Sequence, residues 1–217
     1  MEHVVKTVAL FEEHYQSYED WFRDHPAILE TEAAAFRSLL PVGDLKGIEV
    51  GLGAGHLATA IGIREGVEPS ELLRQEAIHK GLEVCSGRAE ALPFKDLKFD
   101  FVIIGTAMHY IDNLDKAFSE AFRVLKKGGI LLLGFIDAEG EIGKEHIKNK
   151  LKSTFYRNAT FFELKTIQRK LALAGFRDLE NFQTLFGKED EIKELQALET
   201  GTGKGSFILI RAKKSRS

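Results

Sequence analysis

The chain has 217 residues, is 44% hydrophobic and carries 30 Lys and Arg against 33 Asp and Glu, a formal charge of −3. That balance excludes a disordered chain, and no window approaches the roughly 18 consecutive apolar residues of a membrane span. The slight acidity argues against sequence-independent nucleic-acid binding, and the single Cys85 excludes a disulfide framework and fits a reducing cytoplasm.

In chain order, Val4, Val8, Phe11, Tyr15, Tyr18 and Phe22 recur at intervals of three and four, which predicts one amphipathic helix. The charges among them rule out a signal peptide, and Pro26 ends the run. A second, short helix through Ala33, Phe36, Leu39 and Leu40 stops at Pro41. From Gly47 onward short apolar runs alternate with helical segments. The runs are 47–50, 63–67, 82–85, 99–104 and 130–135, several of them continuous, as expected of strands buried on both faces. Between them the pattern predicts a helix from about Ser70 to Lys80, closed by Gly81, and another from about Asn113 to Lys127, closed by Gly128 and Gly129. Further helices are expected over 141–152 and 162–174, a short charged one over 188–198, and strands over 181–186 and 206–211. Seven strands and at least five helices predict one α/β domain around a doubly wound parallel sheet. Gly201-Thr-Gly203-Lys-Gly205 reads as a flexible turn before the last strand, while Arg211-Ala-Lys-Lys-Ser-Arg-Ser is locally basic.

The densest chemical signal is Glu49-Val-Gly51-Leu-Gly53-Ala-Gly55, leaving the first strand. Alternate glycines let the backbone turn tightly and approach a ligand. Glu68, at the end of the second strand, is spaced to accept hydrogen bonds from both hydroxyls of a ribose. A dinucleotide loop would want glycine at position 56, where His56 stands, and the Glu49 carboxylate would repel a diphosphate. S-adenosylmethionine has a ribose, an ammonium and a sulfonium but no phosphate, so the charges favour it.

The ordered set of Glu49–Gly55, Gly66-Val-Glu-Pro-Ser70, Ala89-Glu-Ala-Leu-Pro-Phe94, Phe99-Asp-Phe-Val102 and Arg123-Val-Leu-Lys-Lys-Gly-Gly129 resembles the class I S-adenosylmethionine-dependent methyltransferases. The nearest likeness is to the small-molecule branch called methyltransferase type 11, which includes ubiquinone-biosynthesis-like enzymes. The resemblance implies a Rossmann-like, mainly parallel sheet with an antiparallel last strand. It also implies a helical lid over 1–41, a cofactor core over 42–137 and an acceptor side over 138–217. Gly51, Gly53 and Gly55 would lie under the methionine end of the cofactor, and Glu68 beside Pro69 would hold the ribose. Ala89 and Glu90 would edge the adenine, Leu92 would cover its face, and Thr106 would line the floor under the methyl group. Arg88 stands where the family often has an acid, and the connection from Gly55 to Ile63 is short.

Methyl transfer from a sulfonium is an in-line displacement on an activated carbon and needs no metal; the seven His are scattered and form no ligand cluster. His109, in Thr106-Ala-Met-His-Tyr110 after the fourth strand, is the candidate general base, with packing under the lid as the plainer reading. Tyr18 and Trp21 are expected to cover the sulfonium through cation–π attraction, or simply to pack on the core. Residues 155–162, an aromatic loop, suit an apolar or aromatic acceptor. The expected activity is methyl transfer to a small molecule in the cytoplasm, leaving S-adenosylhomocysteine, without nucleic acid or membrane as partner. The alternatives are a protein or RNA methyltransferase, a cofactor-binding domain without catalysis, and a nicotinamide dehydrogenase.

Overall fold

A computed structural model describes residues 2–215, with side chains from residue 5 to residue 215. Its strands are β1 (Gly47–Val50), β2 (Glu65–Glu68), β3 (Glu83–Ser86), β4 (Phe99–Ile104), β5 (Leu125–Ile136), β6 (Phe176–Thr184), β7 (Glu199–Thr200) and β8 (Phe207–Lys214). They form one sheet in the order β3-β2-β1-β4-β5-β8-β6-β7. The first five are mutually parallel, and β8 runs antiparallel to both β5 and β6. The expected doubly wound sheet with an antiparallel last strand is present, extended at its edge by the two residues of β7.

The helices are α1 (Glu2–Glu13), α2 (Tyr15–Asp24), α3 (Pro26–Leu39), α4 (His56–Ile61), α5 (Glu71–His79), α6 (Leu114–Val124), α7 (Glu141–Asn149) and α8 (Leu164–Leu173). The continuous apolar runs arise because successive strand residues face opposite sides, and helices cover both. Val102, Ile104, Leu131, Leu133, Ile208 and Ile210 meet Phe118 and Ala121 of α6 and Ile167 and Leu171 of α8. Their neighbours Phe101, Ile103, Leu132, Phe207 and Leu209 meet Ile28 and Phe36 of α3 and Ala58 and Ile61 of α4.

Several elements depart from the periodicity. The first helix is broken at His14, whose ψ is 27°, although the Tyr18 N–H to His14 C=O bond continues the ladder. The bend keeps the aromatic stripe over a crevice instead of sinking it into the sheet, and no α2 residue is fully buried; the Val4 side chain lies outside the described residues. Pro26 ends α2 and opens α3 at the first helical position, where its fixed φ is pre-organised. α3 is mainly a core helix, with Phe36 packed edge-on against Phe207, although its Ile28 and Glu32 also reach a cavity.

Gly128 and Gly129 do not close α6. The helix stops at Val124 and β5 starts at once, with a bulge that pairs Phe99 with Leu125 but Phe101 with Ile130. The carbonyls at the end of α6 are met instead by the Leu97 and Lys98 amides, which donate to Arg123 O and Val124 O, and by Lys214, whose Nζ donates to Phe122 O (2.5 Å) and Leu125 O (2.8 Å). The helix expected over 188–198 is a single 3-10 turn, Glu189–Glu191, because Glu189 is drawn inward to Trp21 and His146. β6 starts five residues before the expected Asn181, with an irregularity between Arg177 and Glu180.

Candidate functional site

Strand order reverses between β1 and β4, and a crevice opens where their C-terminal ends diverge, as in other open α/β sheets. Gly51 and Gly53 turn the chain out of β1 at φ of +73° and +58°. The Gly51 and Leu52 amides donate to Val67 O and hold the turn against β2. A Cβ on Gly51 would stand 2.5 Å from the Ala107 side chain, and one on Gly53 2.5 Å from the Tyr18 hydroxyl. The glycines therefore keep a floor open beneath the lid.

One testable consequence concerns Gly53→Ala. The left-handed φ costs about 1 kcal/mol for alanine, and the methyl group pushes on Tyr18. The variant is expected to lose thermal stability and to expose residues 2–24 to proteolysis. Tyr18→Phe in the same chain, which deletes the clashing oxygen, should restore protease resistance but not the backbone cost.

Glu68 is the most committed side chain of the floor. Its Oε2 accepts from Gly53 N and its Oε1 from Ser70 N, both at 2.9 Å. Burial raises its pKa in spite of these donors. A carboxylate offers about four lone-pair sites, so two remain for hydroxyl donors. Glu49 lies deeper, 3% exposed, below the glycine turn; burial, reinforced by Glu68, pushes its carboxyl up to about 8, and its Oε2 has no hydrogen-bond partner.

Two cavities partly open to solvent, each with about 850 Å³ of unfilled space, adjoin at Phe11, Tyr18, Thr106 and Tyr110. The first is lined by Gly51, Gly53, Glu68, Pro69, Ala89, Glu90, Thr106 and Tyr18, eight of the twelve residues expected to bind a cofactor. The other four are absent from that wall. Glu49 and Gly55 support the turn from below, with Gly55 against Leu82 and Ala77. Leu92 is a core residue whose N–H donates to Glu120. Trp21 lines only the second cavity, where its Nε1 donates to Glu189.

Arg88, in the first cavity, does not stand free: its guanidinium meets Asp112 at 3.0 Å and Glu90 at 3.4 Å. Glu90 also accepts from the Asp112 and Asn113 amides, so it anchors the start of α6. Thr7, Val8, Phe11 and Ile111 complete the wall and had no chemical signature in the sequence. Among them Val8 and Phe11 stood out, as parts of the apolar stripe.

Two of the contacts that fasten the lid lie beside the first cavity. Ser70 Oγ donates to Glu12 at 2.6 Å, and His56 Nε2 lies 2.9 Å from Glu19 with its ring stacked on Phe22. His56 thus joins the glycine turn to α2. Beneath α2 the second cavity is walled by Trp21, Phe22, Phe155 and Tyr156 and by two carboxylates, Glu32 and Glu189. The aromatic loop after α7 reaches this cavity; the 201–205 turn lines neither.

His109 is not disposed as a base. It is 1% exposed, and both ring nitrogens are occupied: Nε2 accepts from Ile136 N at 3.1 Å, which leaves the Nδ1–H to donate to Thr160 O at 2.9 Å. Burial pulls its pKa down to about 4. His109 instead ties the end of β4 to β5 and to the aromatic loop.

The first cavity suits an adenosyl sulfonium on its own chemistry. It has a glycine cradle that a Cβ would fill, a buried carboxylate with lone pairs to spare, and an orphaned buried carboxylate oxygen beside it. A sequence model of the family described as a methyltransferase domain matches residues 48–133. An uncharacterized protein of Methanocaldococcus jannaschii is 35% identical over 205 residues, covering 94% of this chain and 98% of that protein. A solved Thermotoga maritima structure, described as a SAM-dependent methyltransferase and possible histamine N-methyltransferase, is similar with a TM-score of 0.92 at 39% identity. It covers 96% of this chain and 100% of its own. A ubiquinone/menaquinone biosynthesis C-methyltransferase of Brucella anthropi is 45% identical over 71 residues, 30% of this chain and 27% of that protein.

Proposed function

This chain belongs to the S-adenosylmethionine-dependent methyltransferases, and we propose that it methylates a small molecule held in the second cavity. The observation that carries the reading is the shared wall: Phe11, Tyr18, Thr106 and Tyr110 line both cavities, so a cofactor in one faces an acceptor in the other. S-adenosylmethionine supplies, when bound, a methyl carbon already activated by a sulfonium. The chain's contribution is then to hold two partners in line and keep water out. Gly51 and Gly53 leave room for the methionine end, Glu68 accepts from the ribose hydroxyls, and Pro69, Ala89 and Glu90 bound the adenine. Thr106 stands at the junction, and the Tyr18 ring covers it from the lid.

A recessed, aromatic acceptor space under a fastened lid favours a small molecule over a protein or RNA. The basic tail offers such polymers little: Arg211 pairs with Glu180, Lys213 with Asp178, and Lys214 is spent on α6 carbonyls. Arg216 and Ser217 of that tail lie outside the described residues. The Thermotoga relative's description, with its small amine, agrees in acceptor size. No helix among the described residues is long and apolar enough to cross a membrane, and we place the reaction in the cytoplasm, where the exposed Cys85 thiol would stay reduced.

The test has two arms. S-adenosylhomocysteine is titrated calorimetrically into the full chain, with binding in the micromolar range expected; no heat at several hundred micromolar would overturn the reading. Radiolabelled S-adenosylmethionine is then offered with a metabolite extract, bulk RNA and bulk protein. Label appearing only in the polymers would reassign the acceptor.

A further inference from the structure

The second cavity has a chemical character of its own. Aromatic rings from α2 and from the loop after α7 surround two carboxylates of different standing. Glu189 is committed: Trp21 Nε1 donates to its Oε1 at 3.3 Å, and His146 Nε2 lies 3.0 Å from its Oε2. Burial pushes its carboxyl up, but His146, His25 and Trp21 together outweigh this and hold it below the usual carboxylate range. Glu32, reaching in from α3, has neither a hydrogen-bond nor an ion-pair partner among the described residues.

A carboxylate without a partner in an aromatic cavity is costly unless the ligand completes it. Ring faces attract cations and have no comparable attraction for neutral hydroxyls or anions. We propose, on the reading that this cavity holds the methyl acceptor, that the acceptor is a protonated amine whose ammonium sits against Glu32 and Glu189, and that Glu32 takes the proton its nitrogen must lose.

The step balances within that pair. The ammonium N–H bond breaks and its proton passes to a Glu32 carboxylate oxygen. The freed nitrogen lone pair forms a bond to the methyl carbon, the C–S bond breaks, and its electrons remain on sulfur as a thioether. The product is a methylated ammonium, and the Glu32 proton is later lost to solvent.

Glu32 is tuned for the exchange by its surroundings. Burial, with the charge of Glu189 added, pushes its carboxyl up to about 8, nearer to an alkylammonium at about 10.4 than an ordinary carboxyl stands. The groups that face it are Glu189 on the 3-10 turn, Glu49 at the end of β1 and the Tyr156 hydroxyl. His146 and His25 act on it only through Glu189. Below that pKa Glu32 is neutral and neither pairs with a cation nor accepts its proton, so kcat/KM for an amine should rise with pH through this range.

The probes are phenethylamine, phenethyl alcohol and phenylacetate, with a series of shorter and longer primary amines, titrated into the full chain saturated with S-adenosylhomocysteine. The best amine is expected to bind at least about tenfold more tightly than the alcohol of the same skeleton. Glu32→Gln should weaken amine binding about tenfold, lower kcat at least about a hundredfold and abolish the rise of kcat/KM with pH. Its affinity for S-adenosylhomocysteine should be unchanged, and Glu32→Asp should recover part of the loss. The inference is overturned if no amine binds, if the alcohol or carboxylate binds as well as the amine, or if Glu32→Gln keeps amine affinity and pH profile. Each of those results leaves methyl transfer to another small acceptor standing, whereas failure of S-adenosylhomocysteine to bind removes the underlying reading.

Discussion

Glu68→Ala is expected to weaken S-adenosylhomocysteine binding by a hundredfold or more. The carboxylate would accept two ribose hydroxyls, and charge-assisted hydrogen bonds contribute about 1.5–3 kcal/mol each, so losing both costs about 3 kcal/mol or more, upward of a hundredfold. The substitution also strips the acceptor from Gly53 N and Ser70 N, which Glu68 holds at 2.9 Å on either side. The glycine turn and the start of α5 therefore loosen together, and the Ser70–Glu12 latch of the lid sits on the second of them. Glu68→Gln keeps one acceptor but turns an NH₂ group toward an amide donor, and an intermediate loss is expected. Calorimetry on the three proteins separates these outcomes. Equal affinity in Glu68→Ala and the wild type would mean the ribose lies elsewhere. Because burial raises the Glu68 pKa, while hydroxyl donors favour its ionised form, binding should tighten as pH rises above the ordinary carboxylate range of about 4.3.

What was legible in the sequence followed from local chemistry. The reversal of strand order puts the end of β1 beside the start of a crevice, so a glycine run there was bound to face a ligand space, and Glu68 one strand away had to share it. Strand existence was legible for the same reason, because a run such as residues 101–104 stays apolar on both faces. Helix ends were less so. Gly128 and Gly129 look like a C-cap, yet the Leu97 and Lys98 amides and, from a strand almost ninety residues later, Lys214 supply the donors, and the glycines go into a bulge. The stretch after Lys188 has helical composition, but Glu189 gains more from Trp21 and His146 than from a helix turn. Leu92 and Trp21 were misplaced relative to the first cavity because a one-dimensional motif does not say which side of a turn faces the ligand. The second cavity was only half visible. Its aromatic loop stood out, but Glu32 lies in the middle of Ala- and Leu-rich α3 and reads as an ordinary solvent-facing acid until the fold turns it inward.

His109→Leu should be among the most destabilising single changes in the chain, and the reason bears on catalysis. Leucine fills similar volume but leaves the buried Ile136 N–H and the part-buried Thr160 carbonyl without their partner. At about 1–3 kcal/mol for a buried unsatisfied group and less for a part-buried one, the loss is about 2–3 kcal/mol at pH 7, a fall in Tm of about 8 °C for a chain of this size. Its pH dependence has a definite sign. The folded-state pKa of about 4 lies below the ordinary value of 6.5, so between those limits the unfolded chain binds the proton and the folded one does not. The wild type must then lose stability as pH falls through this window, up to about 3 kcal/mol in total, and His109→Leu must lack that loss. Glu32 and Glu49 titrate in both proteins and cancel in the difference. The gap between wild type and variant should therefore narrow from pH 7 to pH 4, as measured by denaturant midpoints. His109→Gln, which offers both a donor and an acceptor, should keep most of the stability and permit the kinetic comparison. A general base removed from the site would cost about 10²–10⁴ in turnover. A histidine that only ties β4 to β5 and to the aromatic loop should, on replacement by glutamine, leave kcat within severalfold and the acid limb of the pH profile in place.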